Sequence, residues 1–263
     1  LTSTAPFSAF IEEAYGSIGI FAADVVYIYT DFRALGARVA EFDSRDAFCA
    51  AIVRPLLDRG KTVLTTTFTY TSEGRFDVEK TPTRLGAINK WFLKAPGARR
   101  SEHPMFSYVA IGPQASEVVE NVGKSAFGHD SVFDRLYGRN ASFLYVGRPV
   151  RMGNTIIHHV EQACGATYRI NKAFKTEVYR GGQFVGTDYS AFLRRRDVAG
   201  HTFEFSFDEA ARQLFDAGLV RQVGDDRELT NISAHGFDAA AALLKRLFYS
   251  NPNVFIKQPY IDS

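Results

Sequence analysis

His158 and Glu161 are the two side chains in this sequence best suited to moving a proton. An imidazole exchanges its proton near neutral pH, and a carboxylate beside it orients the ring and steadies the protonated form. The pair stands three apart, so on a helix the two share a face. The surroundings predict a helix. The apolar run Phe143-Leu144-Tyr145-Val146 reads as a strand, and Gly147 and Pro149 interrupt it. Asn154 or Thr155 then stands where a side-chain oxygen can cap the first turn. His159 points about 100° away from His158 on such a helix and is assigned to packing or support. A His-x-x-Glu pair also occurs at zinc sites; no third ligand is placed by sequence, so no metal is expected.

The remaining elements must build a cleft around that helix. Apolar spacing predicts a helix over 7–15, and Val25-Val26-Tyr27-Ile28-Tyr29 reads as a buried strand leading into a loop at Thr30-Asp31. A helix over 45–57, a β-branched strand over 62–68 and an irregular segment through Ser72, Gly74 and Asp77 follow. Further on, a helix over 85–93, a strand over 106–111, a helix over 114–119 and a turn-rich stretch over 125–131 are expected. Arg180-Gly181-Gly182-Gln183 is a hairpin signal, and 207–215 and 237–248 carry helical apolar stripes, the first stopped at Gly218. Strand and helix alternate with a partly antiparallel sheet, which predicts an α/β fold.

Composition bounds the function. The 263 residues are 46% hydrophobic and 14% aromatic, enough for a large core and too apolar for disorder. One large domain over 1–263 is expected. A net charge of +2 gives no bulk attraction to nucleic acid or to membrane. No apolar run approaches the roughly 18 residues that span a bilayer. Cys49 and Cys164 form neither a disulfide framework nor a zinc pattern and suit a reducing cytoplasm.

The run Arg100-Ser101-Glu102-His103-Pro104-Met105-Phe106-Ser107-Tyr108-Val109-Ala110-Ile111-Gly112 resembles the aminoglycoside 3-N-acetyltransferase family, which reads Arg-Ser-x-His-Pro and then a Gly at this place. Matches continue in order on both sides. Upstream are Val63 through Tyr70, Phe76-Asp77, Thr81-Pro82 and Gly86; downstream are Ser131, Leu136-Tyr137, Phe143 to Gly147, Asn154-Thr155-x-x-His158-x-x-Glu161, Ala217-Gly218-Leu219-Val220 and Asn251-Pro252.

The resemblance implies a three-layer α/β/α fold with a mixed central sheet. It also implies a cleft that holds acyl-CoA, with acetyl-CoA as the expected donor, and direct acyl transfer to a small-molecule amine on a sugar. His158 becomes the general base and Glu161 its partner, since acyl transfer to an ammonium group requires deprotonation. Thr30 falls where the family has hydroxyls facing the cofactor pyrophosphate, although Asp31 beside it would repel phosphate unless turned away. Thr67 and Thr81 are similar cofactor candidates, and Arg100 and Ser101 are candidates for the CoA phosphates, with solvated charge as the plain alternative. Asp77 and His103 are expected to line the acceptor cleft. His129 replaces an acid of the family's motif before Ser131 and is a catalytic candidate or a surface turn. Asp188 keeps one acid where aminoglycoside-modifying members carry several, and Arg194-Arg195-Arg196 follow it. Arginine suits phosphate better than polycations. The expected acceptor is therefore an amino sugar bearing negative charge, such as a nucleotide-linked one. The alternatives are an aminoglycoside, a zinc hydrolase at His158 and Glu161, and a non-catalytic acyl-CoA binder; a homodimer is left open.

Overall fold

The computed structural model describes residues 6–153, 155–198, 200–224 and 231–260. In chain order the elements are α1 (Phe7–Ser17), β1 (Val25–Thr30), α2 (Gly36–Val39), α3 (Arg45–Leu57), β2 (Thr62–Thr66) and β3 (Glu73–Asp77). Then follow α4 (Ala87–Lys94), β4 (Arg99–Arg100), β5 (Tyr108–Ile111), α5 (Ala115–Val119), β6 (Ala141–Val146) and α6 (Ile156–Cys164). The chain finishes with β7 (Arg169–Ala173), β8 (Lys175–Arg180), β9 (Gln183–Gly186), β10 (Ser190–Arg194), α7 (Asp208–Asp216), β11 (Arg221–Val223), β12 (Ile232–Gly236) and α8 (Phe237–Ser250).

Seven strands form the central sheet in the order β11-β12-β6-β1-β2-β5-β4. The middle three, β6, β1 and β2, are parallel, and β12 and β5 flank them antiparallel. Because side chains alternate along a strand, β1 feeds both faces. Val26 and Ile28 enter a core with Phe10, Tyr15, Phe48 and Ile52 from α1 and α3; Val25 and Tyr27 enter the opposite core with Val118, Ile157 and Leu244 from α5, α6 and α8. The mixed sheet with helices on both faces is the expected architecture.

Two small sheets complete the fold. β10 pairs antiparallel with β7, and β8 lies between β3 and β9. The segment expected to be irregular contains β3, which runs parallel to β8 with Glu73 opposite Lys175. A polar strand has no apolar rhythm of its own, and its partner lies far along the chain, so local pattern could not reveal it. The hairpin turn is as expected, with Gly181 and Gly182 both at positive φ between β8 and β9.

Gly147, just after β6, has φ +66°; a Cβ there would lie 2.9 Å from the Asp31 carbonyl oxygen and 3.0 Å from Leu35 Cγ. Only glycine lets the loops after β6 and β1 approach this closely.

Candidate active site

The site is built on α6, a nine-residue helix with one buried face that ends at Gly165 in the left-handed conformation. Its start differs from expectation. Asn154 lies outside the described residues, and Thr155 offers no side-chain cap to the helix. The Thr155 hydroxyl is engaged by two tyrosines of β1, with Oγ1 3.0 Å from Tyr27 Oη and 2.6 Å from Tyr29 Oη. The Thr155 backbone N–H also donates to Tyr29 Oη, at 3.1 Å. Two strand tyrosines therefore tie the first turn of α6 to the central sheet and set where His158 stands.

His158 and Glu161 meet as helical spacing requires. His158 Nδ1 lies 3.0 Å from Glu161 Oε2, with the imidazole side chain 28% exposed and the carboxylate 1%. Arg169 of β7 places NH2 2.7 Å from the same carboxylate oxygen and 2.9 Å from His158 Nδ1. Tyr168 Oη donates to Glu161 Oε1 at 2.8 Å, and Arg169 NH1 donates to the Phe192 carbonyl at 3.0 Å. The Phe127 ring packs edge-on against His158 at 5.1 Å between centroids. Among the described residues His158 Nε2 has no hydrogen-bond partner, so this nitrogen is available to a substrate.

Burial opposes the Glu161 charge. Arg169 and the hydrogen bonds from His158 and Tyr168 outweigh that cost and hold its carboxyl below the usual range. At His158 burial acts first to lower the pKa, and Arg169 and Arg194 add to it against the upward pull of Glu161. The imidazole is thus held neutral near pH 7, the form a base needs. His159 lies elsewhere on the helix, buried, with Nδ1 2.7 Å from the Phe127 carbonyl and Nε2 3.2 Å from Tyr137 Oη, a supporting position as expected.

A cavity of about 540 Å³ opens at the carboxyl ends of β1 and β2, lined by Tyr29, Thr30, Asp31, Arg33, Asn89 and Arg148 among others. Carboxyl ends of parallel strands are where ligands settle in open α/β sheets. Tyr29 both lines this cavity and holds Thr155, so the cavity and the His158 helix share a wall. Asp31 is turned onto Arg33, which donates through Nε at 3.0 Å, NH2 at 2.6 Å and the backbone N–H at 3.0 Å. Those bonds keep its carboxyl below the usual range and neutralise the acid beside Thr30. Arg148 adds a cation to the lining; its Nε is buried and, among the described residues, has no hydrogen-bond partner.

The other cofactor candidates gather away from this cavity around Arg100. Its Nε donates to Ser107 Oγ at 3.2 Å, NH1 to the carbonyls of Val78 and Thr81 at 3.0 and 2.6 Å, and NH2 to the Thr67 carbonyl at 3.1 Å. Thr67 Oγ1 pairs with Ser107 Oγ, and Thr81 Oγ1 accepts from the Asp77 backbone N–H. Ser101 Oγ accepts from the Tyr108 N–H, and the Asp77 carboxylate accepts from the N–H groups of Glu79 and Lys80. A phosphate would have to displace backbone carbonyls to reach the Arg100 guanidinium, which ties the end of β2 to the loop after β3.

His103 is equally committed. Its Nδ1 accepts from the Met105 and Phe106 N–H groups, so Nε2 carries the proton and donates to the Ser190 carbonyl at 2.9 Å. Asp188 is 72% exposed and paired with Lys124; His129 is 99% exposed, 3.4 Å from Asp134. Neither is a partner of His158. Arg194 faces Arg169 across the β7–β10 register and donates to the Phe203 carbonyl, close enough to bear on His158; Arg195 pairs with Asp197. Arg169 and Tyr168 carry no sequence signal of their own, because only strand pairing folds them back onto α6.

Burial pushes both His103 and His235 down to about 4. An unfolded histidine binds its proton near pH 6.5. Between pH 6.5 and 4 the unfolded chain therefore holds more protons, and stability falls as pH falls through that window. Each ring accounts for on the order of 3 kcal/mol lost by pH 4. Thermal unfolding followed from pH 7.5 to 4 is expected to show the midpoint dropping steeply below 6.5; a flat profile counts against both rings being held neutral.

Residues 58–243 match the family described as aminoglycoside 3-N-acetyltransferase. The chain belongs to this family. It is 38% identical over 79 residues to aminoglycoside N(3)-acetyltransferase III of Serratia marcescens, covering 29% of each chain. To aminoglycoside N(3)-acetyltransferase IX of Micromonospora chalcea it is 28% identical over 145 residues, covering 52% of this chain and 48% of the relative. The matched segments thus span half or less of those relatives' lengths. The fold agrees over nearly the whole chain. A crystal structure of aminoglycoside acetyltransferase AAC(3)-IVa in complex with a gentamicin superposes with TM-score 0.74 at 18% identity, covering 96% of this chain and 92% of that one. YokD protein from Bacillus subtilis gives 0.73 at 17%, covering 96% and 95%. The family match fits the aminoglycoside alternative better than the zinc hydrolase; among the described residues there is no group of three or more His, Cys, Asp or Glu side chains that could hold a metal ion. Among the described residues no helix is long and apolar enough to cross a membrane.

Proposed function

We propose that this protein transfers an acetyl group from acetyl-CoA to an amine of an amino sugar, with His158 as the general base. The observation that carries this reading is the His158–Glu161 pair, buried on its carboxylate side and open at Nε2. The amine nitrogen attacks the thioester carbonyl carbon, and Nε2 takes the proton that nitrogen sheds as the C–N bond forms. The C–S bond then breaks and CoA leaves as the thiol, the proton returning to sulfur from the site or from water. Glu161 holds Nδ1–H and stabilises the imidazolium formed in between.

The cavity over β1 and β2 suits the donor. Thr30 and Arg148 supply a hydroxyl and a cationic group for phosphate oxygens, and the Asp31 charge is already cancelled by Arg33. Arg100, Thr67, Thr81 and Ser101 take positioning roles behind it, and His103 braces the loop before β5 against β10.

On the acceptor side Arg194 adds positive charge near His158 beyond the neutral Arg169–Glu161 pair, while Asp188 is exposed and paired with Lys124. This favours an amino sugar bearing negative charge, such as a nucleotide-linked one. The relatives' names favour an aminoglycoside instead. Thiol release from acetyl-CoA over a panel of amines separates the two. Nucleotide-linked amino sugars are expected to turn over faster than kanamycin or gentamicin. The reverse order overturns the acceptor reading, and absence of thiol release with every amine overturns the transferase reading.

A further inference from the structure

We infer that Arg169 is a positioning residue that cancels the Glu161 charge at the His158 ring and so keeps the imidazole unprotonated at working pH. The inference rests on His158 being the base.

A histidine with a lone buried carboxylate is drawn toward the imidazolium, because the carboxylate gains most from a full positive charge beside it. Here the carboxylate is already matched. Arg169 NH2 sits 2.7 Å from Glu161 Oε2 and 2.9 Å from His158 Nδ1, with its side chain 4% exposed. Glu161 has two oxygens for three neighbours: Oε1 takes Tyr168 Oη–H, and Oε2 lies against both Arg169 NH2 and His158 Nδ1, which donates to it when the ring proton is on Nδ1. With Nδ1 donating, that nitrogen has no lone pair for the guanidinium. The 2.9 Å approach is then a cation beside the ring, and protonating the ring sets two positive charges together where water screens them little.

The guanidinium cannot easily swing away, because NH1 is held by the Phe192 carbonyl of β10. Among the described residues the charged groups that bear on His158 are Glu161 on its own helix, Arg169 from β7 and Arg194 from β10, while the connection between α5 and β6 contributes the uncharged Phe127 ring. The two cations come from paired strands, opposite one another in register. Fixing Nδ1 as the donor also leaves the Nε2 lone pair toward the substrate, which a reversed ring or the other tautomer would not. The carboxylate thus selects the tautomer of the ring, and the cation beside it sets the protonation state.

The test reads the ring directly. The ring signals of His158, assigned by their loss in His158→Ala, are followed by NMR from pH 4 to 9 in wild type, Arg169→Met and Arg169→Lys, alongside the pH profile of kcat/KM. In wild type the titration midpoint is expected below 6.5. In Arg169→Met it moves to higher pH, and activity at the acid end of the profile falls by up to roughly tenfold relative to pH 8. Arg169→Lys keeps the charge and holds the midpoint near wild type. A midpoint unmoved in Arg169→Met overturns the inference.

Should Arg169→Met not fold, Glu161→Gln supplies the converse, since it leaves the cation unopposed and must move the midpoint down; a rise or no change overturns the inference. Normal turnover by His158→Ala would defeat the base reading alone, because the ring titration of the intact protein needs no activity.

Discussion

Replacing His158 by Ala is expected to lower turnover by roughly 100-fold or more, the usual scale for loss of a general base, with fold and CoA binding close to unchanged. The imidazole is half-buried at the end of the cluster, and its one hydrogen bond to the carboxylate is shared with Arg169 and Tyr168, so Glu161 keeps two donors when the ring is gone. His158→Gln separates proton transfer from size, because an amide fills the space without accepting a proton at Nε2. Steady-state thiol release, with circular dichroism to confirm the fold, decides the matter. Either variant working near the wild-type rate would remove His158 from the reaction.

Glu161→Leu is expected to act chiefly on stability. The substitution leaves the Arg169 guanidinium buried with no counter-charge and strips Tyr168 Oη of its acceptor. Breaking one partner out of a buried ion pair costs about 3–5 kcal/mol, most of it from the charge left behind. Glu161→Gln keeps an acceptor oxygen and should cost less. Urea denaturation of the three proteins measures the difference, and a cost under about 1 kcal/mol for Glu161→Leu would mean that the pair is not buried as described. Because Arg169 also lies against His158, Glu161→Leu should lose activity even at concentrations where it remains folded. The two substitutions are thereby distinguishable: His158→Ala loses rate and keeps stability, whereas Glu161→Leu loses both.

Much of the architecture follows from local pattern. The strand at Val25–Thr30, the helix at Arg45–Leu57, the hairpin around Gly181-Gly182 and the terminal helix all obey periodicity or turn chemistry that a short window contains. Other elements escape such windows. β3 is polar and gains its identity from β8 far downstream, and Thr155 is drawn from capping by tyrosines that stand more than a hundred residues earlier, as Tyr27 and Tyr29 show. The long candidate set also divides by tertiary placement. Thr30 lines the cavity; Thr67, Thr81 and Arg100 form a knot of backbone-directed bonds; Asp188 and His129 face solvent. Residue type alone does not separate a threonine that meets a ligand from one that ties two loops, because both need a hydroxyl.

At the centre of the protein the division has a clear physical reason. Three residues apart on a helix brings two side chains to one face, so the meeting of His158 with Glu161 was determined by the sequence alone, as was the chemistry that an imidazole and a carboxylate can do. What only the tertiary structure decided is the charge around them. Arg169 leaves the helix behind at Gly165, turns back along β7 and is held opposite Arg194 by pairing with β10. Long-range strand pairing, not local spacing, is what sets a buried cation against the imidazole and makes the site's electrostatics.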